Sequence, residues 1–100
     1  MATYIVLLNF TDQGIRSVKE TTKRADAVKK MAKKFGINAK EFFWTLGNYD
    51  LVVIIEAPDD ASMAALGLSI GAAGNVRSQT LRAFSKEDMN RILAKLAKGK

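Results

Sequence analysis

The sequence predicts an α+β domain in which helices cover one face of a four-stranded antiparallel sheet. Two observations lead to this prediction. Segments rich in β-branched and aromatic residues alternate with segments whose apolar residues recur every three or four positions, in the order β-α-β-β-α-β-α. The chain has 100 residues, of which 48% are hydrophobic and 26% charged, so we expect a single globular domain over residues 1–100.

The first strand is predicted at residues 3–10 and is followed by turn-forming residues at 11–14. The first helix is predicted over residues 15–35, because its apolar residues form one stripe, and Gly36 is suited to a left-handed C-cap. Paired threonines favour caps over helix interiors. We therefore expect the helix to divide into two segments, with Thr22 capping the second.

Strands 2 and 3 are predicted at residues 41–46 and 50–57, joined as a hairpin. Gly47 and Asn48 tolerate the positive φ angles that a two-residue primed turn requires. The second helix follows within residues 58–74, because Pro58 ends the strand and two acidic residues then favour the positive end of a helix. The many small residues of this helix either leave room for a pocket or allow close packing on the sheet.

Strand 4 is predicted at residues 75–84, and a last helix follows it. Ser85 and Asp88 have the spacing of a capping box at the start of that helix. Its apolar stripe is expected to face inward, through Met89, Ile92, Leu93 and Leu96. With right-handed crossovers, the element order gives a ferredoxin-like βαββαβ topology plus a C-terminal helix, with strands 1 and 3 in the centre of the sheet.

Both faces of the central strands are apolar. On strand 1, Val6 and Leu8 share one face while Ile5 and Leu7 share the other. The helices of this topology cover only one face, and soluble proteins rarely leave the other exposed. We therefore predict a homodimer formed through the second face. Assembly of such dimers into higher oligomers is compatible with this prediction. The alternative is that a third helix of the same chain folds over it.

The composition limits the chemical groups that a functional site of this chain can use. The chain has no cysteine and no histidine, which excludes a disulfide framework, a thiol nucleophile, a histidine base and axial ligation of haem by histidine. We expect no metal and no cofactor. No apolar run approaches the ~20 residues that span a bilayer, and the N-terminus does not resemble a signal peptide, so we expect a cytoplasmic protein without membrane contact.

The formal charge of +6 is concentrated in one segment. Residues 15–40 hold nine basic and two acidic residues, giving +7, so the rest of the chain is at −1. We interpret this segment as a solvated helix face; the alternative is a surface for nucleic acid or membrane. RNA-binding domains of this topology stack bases on aromatic residues of the central strands, and residues 50–56 contain none. This argues against nucleic acid as a partner.

Chain direction predicts a site at one edge of the sheet. Strands 1 and 2 end there and strands 3 and 4 begin there. Polar and amphipathic side chains gather at this edge, namely Asn9, Trp44, Thr45, Tyr49, Asp50, Asn75 and Arg77.

Five of these residues receive conditional roles. Asp50 can act as a general base in a dry pocket, or accept hydrogen bonds from the helix start or pair with Arg77. Tyr49 can orient a substrate oxygen or simply pack beside the turn. Trp44 can bind a flat aromatic ligand or lie in the core or an interface. Arg77 can bind an anionic ligand, and Asn9 is an amide that needs partners if buried.

The segment Leu46-Gly47-Asn48-Tyr49-Asp50 resembles the signature of the GYD-domain family, small bacterial and archaeal proteins mostly of uncharacterised function. Further resemblance lies at residues 11–14, 23–25, 56–59, 74–77 and 80–84. The resemblance implies a fold similar to the dimeric α+β barrels, a superfamily that includes monooxygenases, isomerases and ligand-sensing domains. Fold alone therefore says little about function.

These observations lead to three function hypotheses. The first is a homodimeric small-molecule-binding protein, or a cofactor-independent enzyme, acting on a hydrophobic or aromatic compound. The second is a basic nucleic-acid-binding module. The third is a purely structural, oligomer-forming protein.

Overall fold

The structure is a computed structural model that describes residues 1–98. Its elements are β1 (Ala2–Phe10), α1 (Asp12–Arg16), a 3-10 turn (Val18–Glu20), α2 (Thr21–Lys34), β2 (Asn38–Trp44), β3 (Leu51–Ala57), α3 (Asp60–Ala72), β4 (Val76–Ala83) and α4 (Lys86–Lys98). The strands form one antiparallel sheet in the order β2-β3-β1-β4. The predicted α+β, ferredoxin-like fold with a C-terminal helix is confirmed.

The strand register separates a helix-covered face from a face that we call the open face. On β1, Tyr4, Val6 and Leu8 are buried under the helices. The residues between them point to the other side and are half-buried. Registered side chains of all four strands make up the open face: Thr3, Ile5, Leu7, Asn9, Asn38, Glu41, Phe43, Val52, Ile54, Glu56, Arg77, Gln79, Leu81 and Ala83.

The core lies between the helix-covered face and helices α2 and α3. Ala32 of α2 and Met63 and Leu66 of α3 are buried against alternate residues of β1 and β3. Burying each large apolar side chain contributes roughly 1.5–3 kcal/mol to stability. In the single chain no helix of residues 1–98 covers the open face, so the predicted alternative of a third covering helix is not observed.

Three helix starts were predicted from capping residues. The structure agrees with the prediction for α3 and α4 and differs from it at Thr22. Asp59 caps α3 by accepting a hydrogen bond from the Ser62 N–H at 2.7 Å, and this bond lowers the pKa of Asp59. The Ser85 and Asp88 side chains accept from each other's backbone N–H at 3.0 Å, which confirms the capping box. Thr22 does not cap a helix. It lies inside α2, because the 3-10 turn separates the two helical segments and α2 already begins at Thr21.

Strand β2 begins and ends earlier than predicted, and the predicted two-residue turn is wrong. Residues 45–50 form a longer loop in which Gly47 has a φ of +105°, whereas Asn48 has no positive φ. The Thr45 N–H donates to the Asp50 carbonyl at 2.9 Å and closes this loop. The shift has a packing cause, because burial of Ala39 in the core draws the start of β2 under the helices.

Helix α4 extends away from the domain, so its predicted inward stripe is wrong. Met89, Leu93 and Leu96 are 41%, 51% and 67% exposed, and only Ile92 of the predicted stripe is half-buried. The reason is that α2 and α3 already fill the helix-covered face, while β4, which leads into α4, is an edge strand. The protein is consequently elongated, with dimensions of 54 × 31 × 19 Å.

We predict that stability at alkaline pH depends on Tyr4. Its hydroxyl donates to Asp60 Oδ1, and this bond, with burial, raises the pKa of Tyr4 above its ordinary value of 10.0. The folded state therefore prefers neutral tyrosine, and this stabilisation is present below pH 10.0 and is lost as the pH rises through the folded-state pKa. In urea unfolding between pH 10.0 and the folded-state pKa, wild type should lose stability more steeply than Tyr4→Phe. Parallel slopes would contradict this prediction.

Candidate functional site

The open face brings three of the predicted site residues together at one end of β1. Asn9 and Arg77 are directly opposite each other across the β1–β4 pair. The Tyr49 hydroxyl reaches the same place and donates to Gln79 Oε1 at 3.3 Å. These four residues, which we call the Asn9 cluster, line a shallow depression of about 230 Å³ together with Leu7 and Ser78.

Arg77 gives the Asn9 cluster an available positive charge. Its side chain is exposed, and no carboxylate among residues 1–98 forms an ion pair with it. The amides of Asn9 and Gln79 add neutral donors and acceptors. The cluster can therefore bind a small anion or the polar edge of an aromatic compound. Gln79 was not predicted, although its alternation with Arg77 along strand 4 places it on the same face.

The side chain and the backbone of Asp50 both form hydrogen bonds with the backbone of β1. Its Oδ2 accepts a hydrogen bond from the Phe10 N–H at 2.8 Å, and its own N–H donates to the Leu8 carbonyl at 2.8 Å. These contacts attach the loop after β2 to the end of β1. The predicted pairing of Asp50 with Arg77 is not formed. The geometry favours a hydrogen-bond acceptor over a general base, but the donor is the last residue of β1 and not the predicted helix start.

We expect Asp50→Ala to lower the free energy of unfolding by about 2 kcal/mol, because it leaves the Phe10 N–H without its acceptor. Asp50→Asn keeps an acceptor oxygen and should cost less than about 1 kcal/mol. Urea unfolding of both variants measures the difference. Equal stability of Asp50→Ala and wild type would show that this hydrogen bond does not hold the loop.

The other predicted residues do not line the depression of the Asn9 cluster. Trp44 is in register with buried Leu51, on the helix-covered face, and its Nε1 donates to Thr21 Oγ1 at 3.0 Å. Asn75 accepts from Gln13 Nε2 at 3.0 Å and helps to anchor α1. The Thr45 hydroxyl donates within its own loop, to the carbonyl of Tyr49.

A second feature lies on the opposite side of the sheet. A cavity of about 60 Å³, which we call the inner cavity, separates α2 and α3 above the central strands. Its lining is almost wholly apolar, with side chains from Ala25 and Val28 of α2 and from Met63 and Ile70 of α3. Gly67 also lines it, and a Cβ built there would meet no atom within 4 Å. The small residues of α3 therefore leave space at this position.

The described part of the chain offers neither a metal-binding cluster nor a membrane-spanning helix. Residues 1–98 contain no group of three acidic, histidine or cysteine side chains that could hold a metal ion. No helix in that part of the chain has the length and apolar character needed to cross a membrane.

The chain is similar to known proteins over most of its length. A family model described as GYD domain matches residues 4–93, which include the whole Asn9 cluster. The "Glutamine synthetase and cystathionine beta-lyase binding protein" of Thermus thermophilus is 32% identical over 90 residues, covering 89% of this chain and 95% of the relative. The crystal structure of TTHA0845, also from Thermus thermophilus, has a TM-score of 0.56 and 23% identity, covering 85% of this chain and 95% of that one. That structural likeness concerns the fold alone.

Proposed function

The chain belongs to the GYD domain family, and from this premise we propose that it is a homodimeric binding protein whose two copies join through the open face. The observation that carries the proposal is the apolar centre of that face. Ile5 is in register with Ile54 on one side and Leu81 on the other, while Leu7 is in register with Val52. Monomeric proteins rarely expose a contiguous apolar patch of this kind.

The Asn9 cluster supports the binding part of the proposal. It lies at one end of the open face, so in the dimer it would stand at the rim of the interface, where polar groups are usual. The unpaired charge of Arg77 within residues 1–98 suits a small anionic ligand, and Tyr49 suits an aromatic one. Asp50, the residue with the best chemistry for a base, is engaged by Phe10. The geometry thus supports binding better than catalysis.

We expect native mass spectrometry of wild type at micromolar concentration to show a dimer, and Ile54→Lys to be monomeric. A lysine at this position would place a charge in the apolar interface, at a desolvation cost that pairing with its registered neighbour Glu41 repays only in part. Leu68→Lys is the matched control, because Leu68 lies on α3 and is 75% exposed. A monomeric wild type, or a dimer that Ile54→Lys leaves intact, would overturn the proposed interface.

The exposed apolar stripe of α4 favours a second candidate function, the binding of an enzyme. The relative from Thermus thermophilus is named for binding glutamine synthetase and cystathionine β-lyase. Apolar residues at three- and four-residue spacing on an unpartnered helix suit insertion into a groove of another protein. With glutamine synthetase immobilised, Leu93→Glu should weaken binding at least about tenfold, while Asn90→Glu should not. Equal binding by the two variants would exclude α4 from this role.

A further inference from the structure

We propose that the space between α2 and α3 is a binding site for an aliphatic carboxylate. The hydrocarbon chain would enter the inner cavity, and the carboxylate would remain at its outer opening. This site lies on the helix-covered face, whereas the proposed dimer uses the open face. The inference therefore goes beyond the proposed function and can fail or succeed independently of it.

The inner cavity has the size and chemistry for the end of a hydrocarbon chain. Its volume of about 60 Å³ exceeds the roughly 10–15 Å³ that one water molecule needs, but its lining offers water almost no polar partners. Apolar cavities of this kind stay dry and accept apolar guests. An apolar cavity of roughly 150 Å³ binds benzene, so this smaller cavity suits the end of a linear chain better than an aromatic ring.

The inner cavity adjoins a larger opening at the surface. A second apolar space of about 230 Å³, which we call the outer groove, lies between the same two helices. Val28, Ile70 and Val76 line both spaces. A flexible chain that passes these three side chains would extend from the surface into the interior, whereas a rigid ligand would have to match the shape of both spaces.

Arg24 supplies the reason for an anionic head group. It lines the outer groove, and its guanidinium donates to the Ser17 carbonyl at 2.9 Å and to the Gly14 carbonyl at 3.1 Å. These acceptors are uncharged, and no carboxylate of residues 1–98 forms an ion pair with Arg24. The positive charge at the opening is held in place but not neutralised, which favours a carboxylate over a neutral head group.

Gly67 provides the most direct test. A Cβ at this position meets no atom within 4 Å, so a larger side chain can enter the inner cavity without a backbone clash. Gly71 is the matched control, because it lies one helical turn further along α3, also has no atom within 4 Å of a built Cβ, and does not line the inner cavity. Gly67→Leu should fill the cavity, and Gly71→Leu should leave it open.

The experiment is titration of each variant with sodium octanoate, followed by isothermal calorimetry and by the backbone amide NMR signals of α2 and α3. We expect saturable binding to wild type and to Gly71→Leu. Gly67→Leu should bind about tenfold more weakly or not at all, which corresponds to the loss of roughly two buried methylene groups. Failure of wild type to bind octanoate, or equal binding by Gly67→Leu, would overturn the site.

Two further measurements separate the parts of the proposal. Octan-1-ol should bind more weakly than octanoate to wild type, and Arg24→Gln should remove that difference while retaining the binding of octan-1-ol. Equal affinity of wild type for the two ligands would overturn the role of Arg24. The monomeric Ile54→Lys variant should still bind octanoate, so that loss of the dimer and loss of the ligand are read separately.

Discussion

Replacing Gly14 with alanine is expected to lower the free energy of unfolding by about 3 kcal/mol, the upper part of the usual range for overpacking. Gly14 is buried in α1, and a Cβ there would lie 2.8 Å from the carbonyl carbon of Asn75 and closer still to its oxygen. That carbonyl cannot move freely, because it accepts a hydrogen bond from the Thr11 N–H at 3.1 Å and directly precedes β4. Helix α1 would have to shift away from the sheet.

Thermal and urea unfolding measure this loss, which corresponds to a fall in Tm of about 15 °C for a domain of this size. Gly67→Ala is the control, because its added Cβ meets no atom within 4 Å. That variant should be more stable than wild type by up to about 1 kcal/mol, since alanine is the better helix former. A Gly14→Ala protein as stable as wild type would show that α1 does not pack against Asn75.

The second large effect is expected at Leu66. Its side chain is 0% exposed and packs in the core between α3 and the sheet. Leu66→Ala should cost about 3 kcal/mol, from lost burial and from the cavity left behind. Urea unfolding with an unchanged m value would assign the loss to stability rather than to a change in the unfolded state.

Leu68 is the matched control for Leu66, because it lies on the same helix and is 75% exposed. Leu68→Ala should change stability by less than about 0.5 kcal/mol in the single chain. If the two variants lost equal stability, the two faces of α3 would not differ in burial as described.

The central strands and the capping box could be predicted from the sequence because local signals determine them. In β3, the uninterrupted apolar run of residues 51–55 predicts a strand covered on both faces. This prediction does not depend on which strand pairs with it. The Ser85–Asp88 box depends only on residues three apart. Gly36 likewise has the left-handed conformation predicted for it, with a φ of 72°.

Strand β2 shows where local signals are insufficient. Gly47 and Asn48 indicate a turn, but they do not determine how many residues the loop contains. The register of β2 includes an irregularity between Ala39 and Glu41, which changes the face that each later residue occupies. The face of Trp44 therefore depends on a bulge that the sequence does not reveal.

The candidate site, like the fold, was predictable only where regular strand pairing determines it. Asn9 and Arg77 face each other because β1 and β4 are regular antiparallel strands, and alternation then determines their common face. The inner cavity was not predictable, since the small residues of α3 are compatible with close packing and with empty space alike. Periodicity likewise predicts the apolar stripe of α4 but does not determine what the stripe contacts.

The position of β1 in the sheet has a consequence for synthesis. This strand is made early, yet its neighbours β3 and β4 begin only at Leu51 and Val76. At roughly 5–20 residues per second, the ribosome takes about 3–13 s to proceed from the end of β1 to the start of β4. During this time an apolar strand has one or both edges unpaired, which makes it prone to association with other chains. A nascent chain of this protein therefore needs protection by chaperones most before β4 has emerged.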